Sequence, residues 1–285
     1  MNLFSINTGY FKLDGGAMFG VVPKSIWNKI NPADENNLCS WALRCLLIED
    51  GNRLILVDNG MGNKQDEKFF GHYYLHGNDT LDKSLAVHGF TKDDITDMVL
   101  THLHFDHCGG SIVREGDKLV TAFKNATYWS NERHWKWATE PNDREKASFL
   151  KENILPIQQS GQLKFIENSG ADLPAGQAGF PESIMIRQAF GHTDAMMLPQ
   201  LNYKGRTIIY MADLLPSAGH IPLPYVMAYD MFPLTTLNEK KSFLTEAQQN
   251  DYVLFFEHDP LIECCTLQMT EKGIRMKESF KLNEL

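Results

Sequence analysis

Five short apolar runs in this chain each lead into a residue whose side chain can bind a metal ion. Residues 53–57 lead into Asp58 and 97–101 into His102; 184–189 pass through Phe190 and Gly191 into His192; 208–212 lead into Asp213 and 253–257 into His258. Runs of this length, rich in Val, Ile, Leu and Phe, read as β-strands. Strands lying side by side bring their ends to one edge, where loops build sites on a rigid scaffold. Singly, each polar residue has an ordinary role, since Asp at a strand end is usually a turn or cap residue. Recurrence at successive strand ends is what points to a shared site.

A further strand is expected at 127–129, and helices at 80–88, ending at Gly89, at 143–155, stopped by Pro156, and at 238–249. Thr236 and Glu239 have the spacing of a capping box for the last. Strand runs alternating with amphipathic stretches imply an α/β architecture. The Gly- and Pro-rich segment 170–181 reads as a loop within one domain spanning residues 1–285.

Composition narrows the function classes. A net charge of −9 and a pI near 5.6 argue against nucleic acid as partner, because such binding draws on Lys and Arg facing phosphates. No apolar run approaches the ~18 residues of a membrane span, and the first residues lack a signal-peptide pattern. A cytoplasmic protein is expected. The five cysteines show no CxxC pair and read as free thiols in a reducing compartment.

The segment His102-Leu103-His104-Phe105-Asp106-His107 is the densest signal. In extended backbone His102 and His104 point to the same side and can hold one ion together. Asp106 and His107 follow where the chain turns before Gly109 and Gly110, so they can face away and serve a second ion. Imidazole and carboxylate both suit zinc-type chemistry. A structural zinc site is closed by four protein ligands, often Cys; no cysteine here has that spacing, which favours an open, catalytic site.

These residues resemble the metallo-β-lactamase superfamily, whose signature is HxHxDH followed by a distant His, Asp and His. The matching positions are His102, His104, Asp106 and His107, then His192, Asp213 and His258, with Asp58 as the strand-end Asp that precedes the motif. The resemblance implies an αββα sandwich, two mixed β-sheets flanked by helices. It also implies two divalent ions, Zn2+ first, with Mn, Fe or Co as alternatives that a mixed His/Asp site accepts. His102, His104 and His192 would hold one ion, Asp106, His107 and His258 the other, and Asp213 would bridge them.

A narrower likeness is to the acyl-homoserine-lactone lactonase branch, in particular the YtnP-like quorum-quenching lactonases. It rests on residues 13–24, on 101–107, on Ala212-Asp213-Leu214-Leu215-Pro216 and on Met227-Ala228-Tyr229-Asp230. It implies a metal-dependent hydrolase that opens lactone rings, with Asp106 as both ligand and proton shuttle. Better-known lactonases of the branch carry a Tyr where Pro216 stands; Tyr225, Tyr229 or His220 from the same loop could replace it. Expected substrate contacts are Met18, Phe19, His220 and Tyr225. The alternatives are a phosphotriesterase or aryl esterase of the methyl parathion hydrolase type, or a non-lactone thioesterase of the same superfamily. The expected partner is a small ester or lactone, with no nucleic acid or membrane; a homodimer is one assembly left open.

Overall fold

The computed structural model describes residues 1–166 and 179–285. In chain order its strands are β1 (Asn2–Asp14), β2 (Leu38–Asp50), β3 (Arg53–Val57), β4 (Asp97–Val99), β5 (Ile112–Glu115), β6 (Lys118–Thr121), β7 (Thr127–Asn131) and β8 (Leu163–Ile166). Then follow β9 (Ile184–Ala189), β10 (Met196–Tyr203), β11 (Arg206–Tyr210), β12 (Val253–Phe255), β13 (Cys264–Thr270) and β14 (Gly273–Phe280). One six-stranded sheet has the order β1-β2-β3-β4-β7-β8 and the other β14-β13-β12-β11-β10-β9, with β5 and β6 a separate hairpin. Both large sheets are mixed: β3, β4, β7 and β8 run parallel, as do β11 and β12, while the other pairs are antiparallel.

Strand periodicity explains the layering. On β3, Ile55 and Val57 point into a core shared with the second sheet, whereas Leu54 and Leu56 point into a core under helices. On β4 and β7, Val99 and Trp129 face the first of these cores, while Met98 and Tyr128 face the second. The helices are α1 (Gly15–Phe19), α2 (Lys24–Trp27), α3 (Glu67–Tyr73), α4 (Leu81–Val87), α5 (Phe105–Cys108), α6 (Glu132–Thr139), α7 (Lys151–Gln159) and α8 (Pro233–Gln249). Leu85 of α4 and Ile154 and Ile157 of α7 cover the first sheet, and Phe243, Leu244 and Ala247 of α8 pack with the second. The result is the αββα sandwich of two mixed sheets flanked by helices.

One helix expectation holds and two shift. The 80–88 helix forms as α4, capped by Thr80, whose hydroxyl accepts from the Lys83 N–H at 3.3 Å. α8 begins at Pro233, because proline is pre-organised for a first helical position. Thr236 therefore sits inside the helix, and Glu239 accepts from the Phe190 and Gly191 N–H groups instead of closing a capping box. The expected 143–155 helix is instead a turn followed by α7, and Pro156 lies inside α7. The carbonyl four residues earlier belongs to exposed Glu152, where water can take the missing bond. Of the loop expected at 170–181, residues 170–178 lie outside the described residues.

The parallel register places Val57 beside Val99 and Val99 beside Trp129, so β3 and β4 end level while β7 runs two residues further. β11 and β12 also end level, with Tyr210 beside Phe255. The ends of both sheets thus supply Asp58, His102, Asp213 and His258 to one region.

Candidate metal centre

The motif segment is fixed by its backbone before its side chains are considered. The Thr101 N–H and hydroxyl both donate to Asp58, and the Leu103 N–H donates to Nε2 of His134 at 2.9 Å. His104 is extended at ψ 151° and α5 begins at the next residue, so the chain turns between His104 and Asp106. The exit from α5 needs Gly109: a Cβ there would lie 2.1 Å from the Met61 carbonyl oxygen.

The turn gathers two clusters. In the first, His104 Nδ1 is 3.1 Å from His102 Nε2 and 3.2 Å from His192 Nε2. In the second, His107 Nε2 is 3.2 Å from His258 Nε2, and Asp106 Oδ2 is 3.8 and 3.7 Å from those two nitrogens. Asp213 stands between them. Its Oδ2 is 3.1 Å from His192 Nε2 and 3.6 Å from His107 Nε2, and its Oδ1 is 3.2 Å from His258 Nε2. Asp213 follows Ala212, held at φ 40°, a strained backbone of the kind found at functional sites.

The chemistry of this donor set fits two cations. Each ring has its outer nitrogen engaged: His104 Nε2 donates to Glu145 at 2.9 Å, His192 Nδ1 to Asp230 at 2.9 Å and His258 Nδ1 to the Ala42 carbonyl at 2.8 Å. His107 Nδ1 lies 3.2 Å from Asp58 and 3.0 Å from Glu257. The Thr101 hydroxyl gives its proton to Asp58, so it accepts from His102 Nδ1 at 3.1 Å. A neutral ring that donates from one nitrogen presents a lone pair at the other. The inner nitrogens therefore face one another as lone pairs, which repel unless a cation takes them. With zinc–nitrogen bonds of 2.0–2.1 Å in a tetrahedron, neighbouring ligand atoms lie about 3.3 Å apart. Asp213 Oδ1 is likewise buried without a hydrogen-bond donor. Both triads, the first with Asp213, are groups able to hold a metal ion.

Protons compete for the same atoms. Burial lowers the pKa of His102, and neighbouring imidazoles lower it further. At His192 and His258 burial also acts downward, but carboxylates led by Asp213 outweigh it and raise them to about 10 and about 9. Metal binding at these nitrogens must displace protons.

A cavity of about 290 Å3 opens on both clusters. Its walls are largely apolar, with Leu13, Met18, Phe105, Met227 and Met231, and its polar groups outside the clusters include Tyr73, Tyr229, Arg144 and Glu145. Another cavity, about 330 Å3, lies against β1 and residues 75–82 and contains none of the metal-holding groups. Size alone does not choose between them; the metal-binding chemistry does.

A family model described as the metallo-beta-lactamase superfamily matches residues 44–258. The chain belongs to the metallo-beta-lactamase superfamily. That match takes in every motif position from His102 to His258. Over 97 residues, 30% of this superfamily member and 38% of the relative, the sequence is 31% identical to the N-acyl homoserine lactonase AiiA of Bacillus thuringiensis subsp. kurstaki. The match thus spans well under half of that lactonase. A solved structure described as a probable metal-dependent hydrolase from Staphylococcus aureus superposes with a TM-score of 0.86 at 26% identity, covering 98% of this chain and 96% of the other. AidC, a dizinc quorum-quenching lactonase, shares the fold with a TM-score of 0.78 at 23% identity over 98% and 95% of the two chains.

The expected substrate contacts divide. Met18 lines the cavity. Phe19, His220 and Tyr225 do not: His220 stacks on Phe19 at 4.6 Å, Tyr225 meets Phe19 edge-on at 6.2 Å, and His220 Nε2 donates to the Met18 carbonyl. They form a buttress behind Met18 because their rings satisfy one another away from the opening. Of the three residues expected to compensate for Pro216, Tyr229 alone lines the cavity. Cys108 is buried with its thiol pushed up to about 12, as fits a packing residue. The sequence reading missed Tyr73, Glu145 and Glu257. Glu257 lies beside His258 in the chain, yet nothing local marks it as a partner of His107; Tyr73 and Glu145 lie in segments without any metal-ligand spacing.

Proposed function

We propose that residues 1–285 act as one hydrolase domain that opens lactone rings, with N-acyl homoserine lactones as substrates and quorum quenching as the biological effect. The observation that carries this reading is Asp213, whose two carboxylate oxygens address different clusters at the floor of an apolar-walled cavity. His102, His104 and His192 would hold one ion, Asp106, His107 and His258 the other, with Asp213 common to both. Two divalent ions there, Zn2+ being the first choice, would supply Lewis acidity and a water activated near neutral pH.

The chain's own residues do the rest. Met18, Phe105, Met227 and Met231 exclude water and suit an acyl chain. A cavity of about 290 Å3 sits near the lower end of the usual ~300–1,000 Å3 for ligand sites, which favours short chains. Asp106, at the cavity floor beside Asp213, takes a proton on its carboxylate and returns it to the ring oxygen that leaves. The likeness to lactonases supports the substrate class. The reading places the protein in the cytoplasm; among the described residues no helix is long and apolar enough to cross a membrane.

The test is a hydrolysis panel of homoserine lactones of several chain lengths, a simple lactone, an aryl ester and a phosphotriester, with and without chelator. Chelator-sensitive turnover is expected on the short-chain lactones. Strong turnover of the phosphotriester with none of the lactones would overturn the substrate choice. An Asp106→Asn enzyme that retained its metals and near-full turnover would remove the proton-transfer role.

A further inference from the structure

One carboxylate outside the motif touches both the first cluster and the cavity. Glu145 is 2% exposed and lies in the turn between α6 and α7. Its Oε1 accepts from His104 Nε2 at 2.9 Å. Its Oε2 accepts from the Trp137 indole N–H at 2.6 Å and from the Asn142 amide at 3.3 Å. Asn142 also holds the turn itself, accepting the Glu145 N–H at 3.1 Å. Three residues on, the Ser148 carbonyl accepts the Phe105 N–H at 3.0 Å. A single turn thus grips two successive motif residues, His104 by its side chain and Phe105 by its backbone.

His104 differs from its neighbours in the ring atom it turns inward. It presents Nδ1 to His102 and His192, which present Nε2. Its outer Nε2–H consequently points at the cavity-lining Glu145. A lining carboxylate invites a role as general acid or base. The bonds argue for a different one, because both oxygens already accept from the chain, one of them from a fixed indole. A carboxylate held in this way orients an imidazole, sets which nitrogen carries the proton and raises the basicity of the other.

We infer that Glu145 is a positioning residue that locks the His104 ring with Nδ1 facing the first cluster and so tightens the grip on one of the two ions. The 140s turn is therefore a working part of the centre. The inference rests on the two-ion reading above.

The test uses the fully loaded enzyme, titrated with a chromophoric chelator, for the wild type, Glu145→Ala and Glu145→Gln. In Glu145→Ala one ion should be released about 10–100-fold more readily, with the second ion at wild-type affinity; the metal-free protein stays folded but melts lower than the wild type, because the partly buried Trp137 indole N–H loses its acceptor. Glu145→Gln keeps an acceptor for His104 without the charge, and its loosened ion should fall between the two. With cobalt in the centre, the absorption of one site alone should fade at intermediate chelator. Two ions held at wild-type affinity in both variants would overturn the inference, as would equal weakening of both ions. A wild-type protein that never binds a second ion would instead overturn the two-ion reading itself.

Discussion

The carboxylate of Asp58 takes two hydrogen bonds from Thr101, one from the backbone N–H at 2.8 Å and one from the hydroxyl at 2.6 Å. That fixes the Thr101 hydroxyl as an acceptor for His102 Nδ1, while Asp58 Oδ2 also faces His107 Nδ1 at 3.2 Å. One fully buried carboxylate therefore orients a ring in each cluster. Glu257 stands 3.0 Å from the same His107 nitrogen and can cover for it there, but not at Thr101. Asp58→Asn should therefore weaken the His102 ion more than the His107 ion, by about 10–100-fold. It should also destabilise the metal-free protein by about 1–3 kcal/mol through a donor left unsatisfied. Chelator titration and denaturant unfolding check both; equal loss at the two ions would refute the asymmetry.

A different pair of rings sets an acid limit on the fold. His220 is buried with Nε2 donating to the Met18 carbonyl and Nδ1 against the Ser217 hydroxyl, and burial pushes its pKa down to about 3. Burial likewise takes His134 to about 4. Both are neutral in the folded state and titrate near 6.5 when unfolded. Between those values the unfolded chain binds more protons, so stability is fully present above pH 6.5 and is lost as pH falls toward 4 and 3. The slope is about 1.4 kcal/mol per pH unit for each ring. Unfolding of the metal-free protein from pH 8 to 4.5 should show it, and His220→Gln should make the profile shallower. An unchanged profile would mean that His220 does not titrate in this window.

How much of this could be read from the chain follows from distance in sequence. The clusters were legible because the motif packs four side chains able to bind a metal into six residues, and each remaining member follows a short apolar strand such as 208–212. β1 was not, since the bulge between Asn7 and Tyr10, with Gly9 at φ 127°, breaks the alternation that marks a strand. The outer partners were illegible for another reason. Glu145 lies 41 residues from His104, and Asp230 lies 38 from His192. Only tertiary packing makes them neighbours. The place of Phe19, His220 and Tyr225 behind Met18 was illegible for the same reason, since their rings meet only once α1 packs against the 217–226 segment.

Tyr73 and Tyr229 bring two phenols into an otherwise mostly apolar cavity. Burial, with the charge of Asp106 adding to it, pushes the Tyr73 phenol up to about 12, so it stays a hydrogen-bond donor throughout neutral pH. Burial also raises Tyr229, with Tyr73 and Asp106 among the groups that contribute. Tyr73→Phe and Tyr229→Phe should each lower kcat/KM for a lactone by the equivalent of about 1 kcal/mol, roughly fivefold. If both phenols reach the same substrate oxygen, the double variant will lose less than the product of the two. Steady-state kinetics of the four proteins decide it, and two Phe variants with wild-type kcat/KM would exclude both phenols from substrate contact.

The last prediction concerns how His192 is held. Gly191 donates its N–H to Glu239 of α8 at 3.1 Å, and its carbonyl accepts the Phe232 N–H at 2.8 Å. A Cβ at 191 would lie 2.2 Å from Thr236 Oγ1 and 2.3 Å from the Thr236 backbone nitrogen, so the strand end would have to move away from α8. His192 would move with it. Gly191→Ala should cost about 1–3 kcal/mol of stability from overpacking and loosen the ion that His192, in the proposed two-ion centre, would share with His102 and His104. Gly71 offers the contrast: a Cβ there meets nothing within 4 Å, its φ is not positive, and it lies inside α3. Gly71→Ala should therefore leave metal affinity alone and raise stability by about 0.5–1 kcal/mol. Thermal unfolding and chelator titration of the two Ala variants separate a close approach that the site needs from a glycine that it does not. Should Gly191→Ala keep the wild-type melting temperature and metal affinity, the contact with α8 would have no part in placing His192.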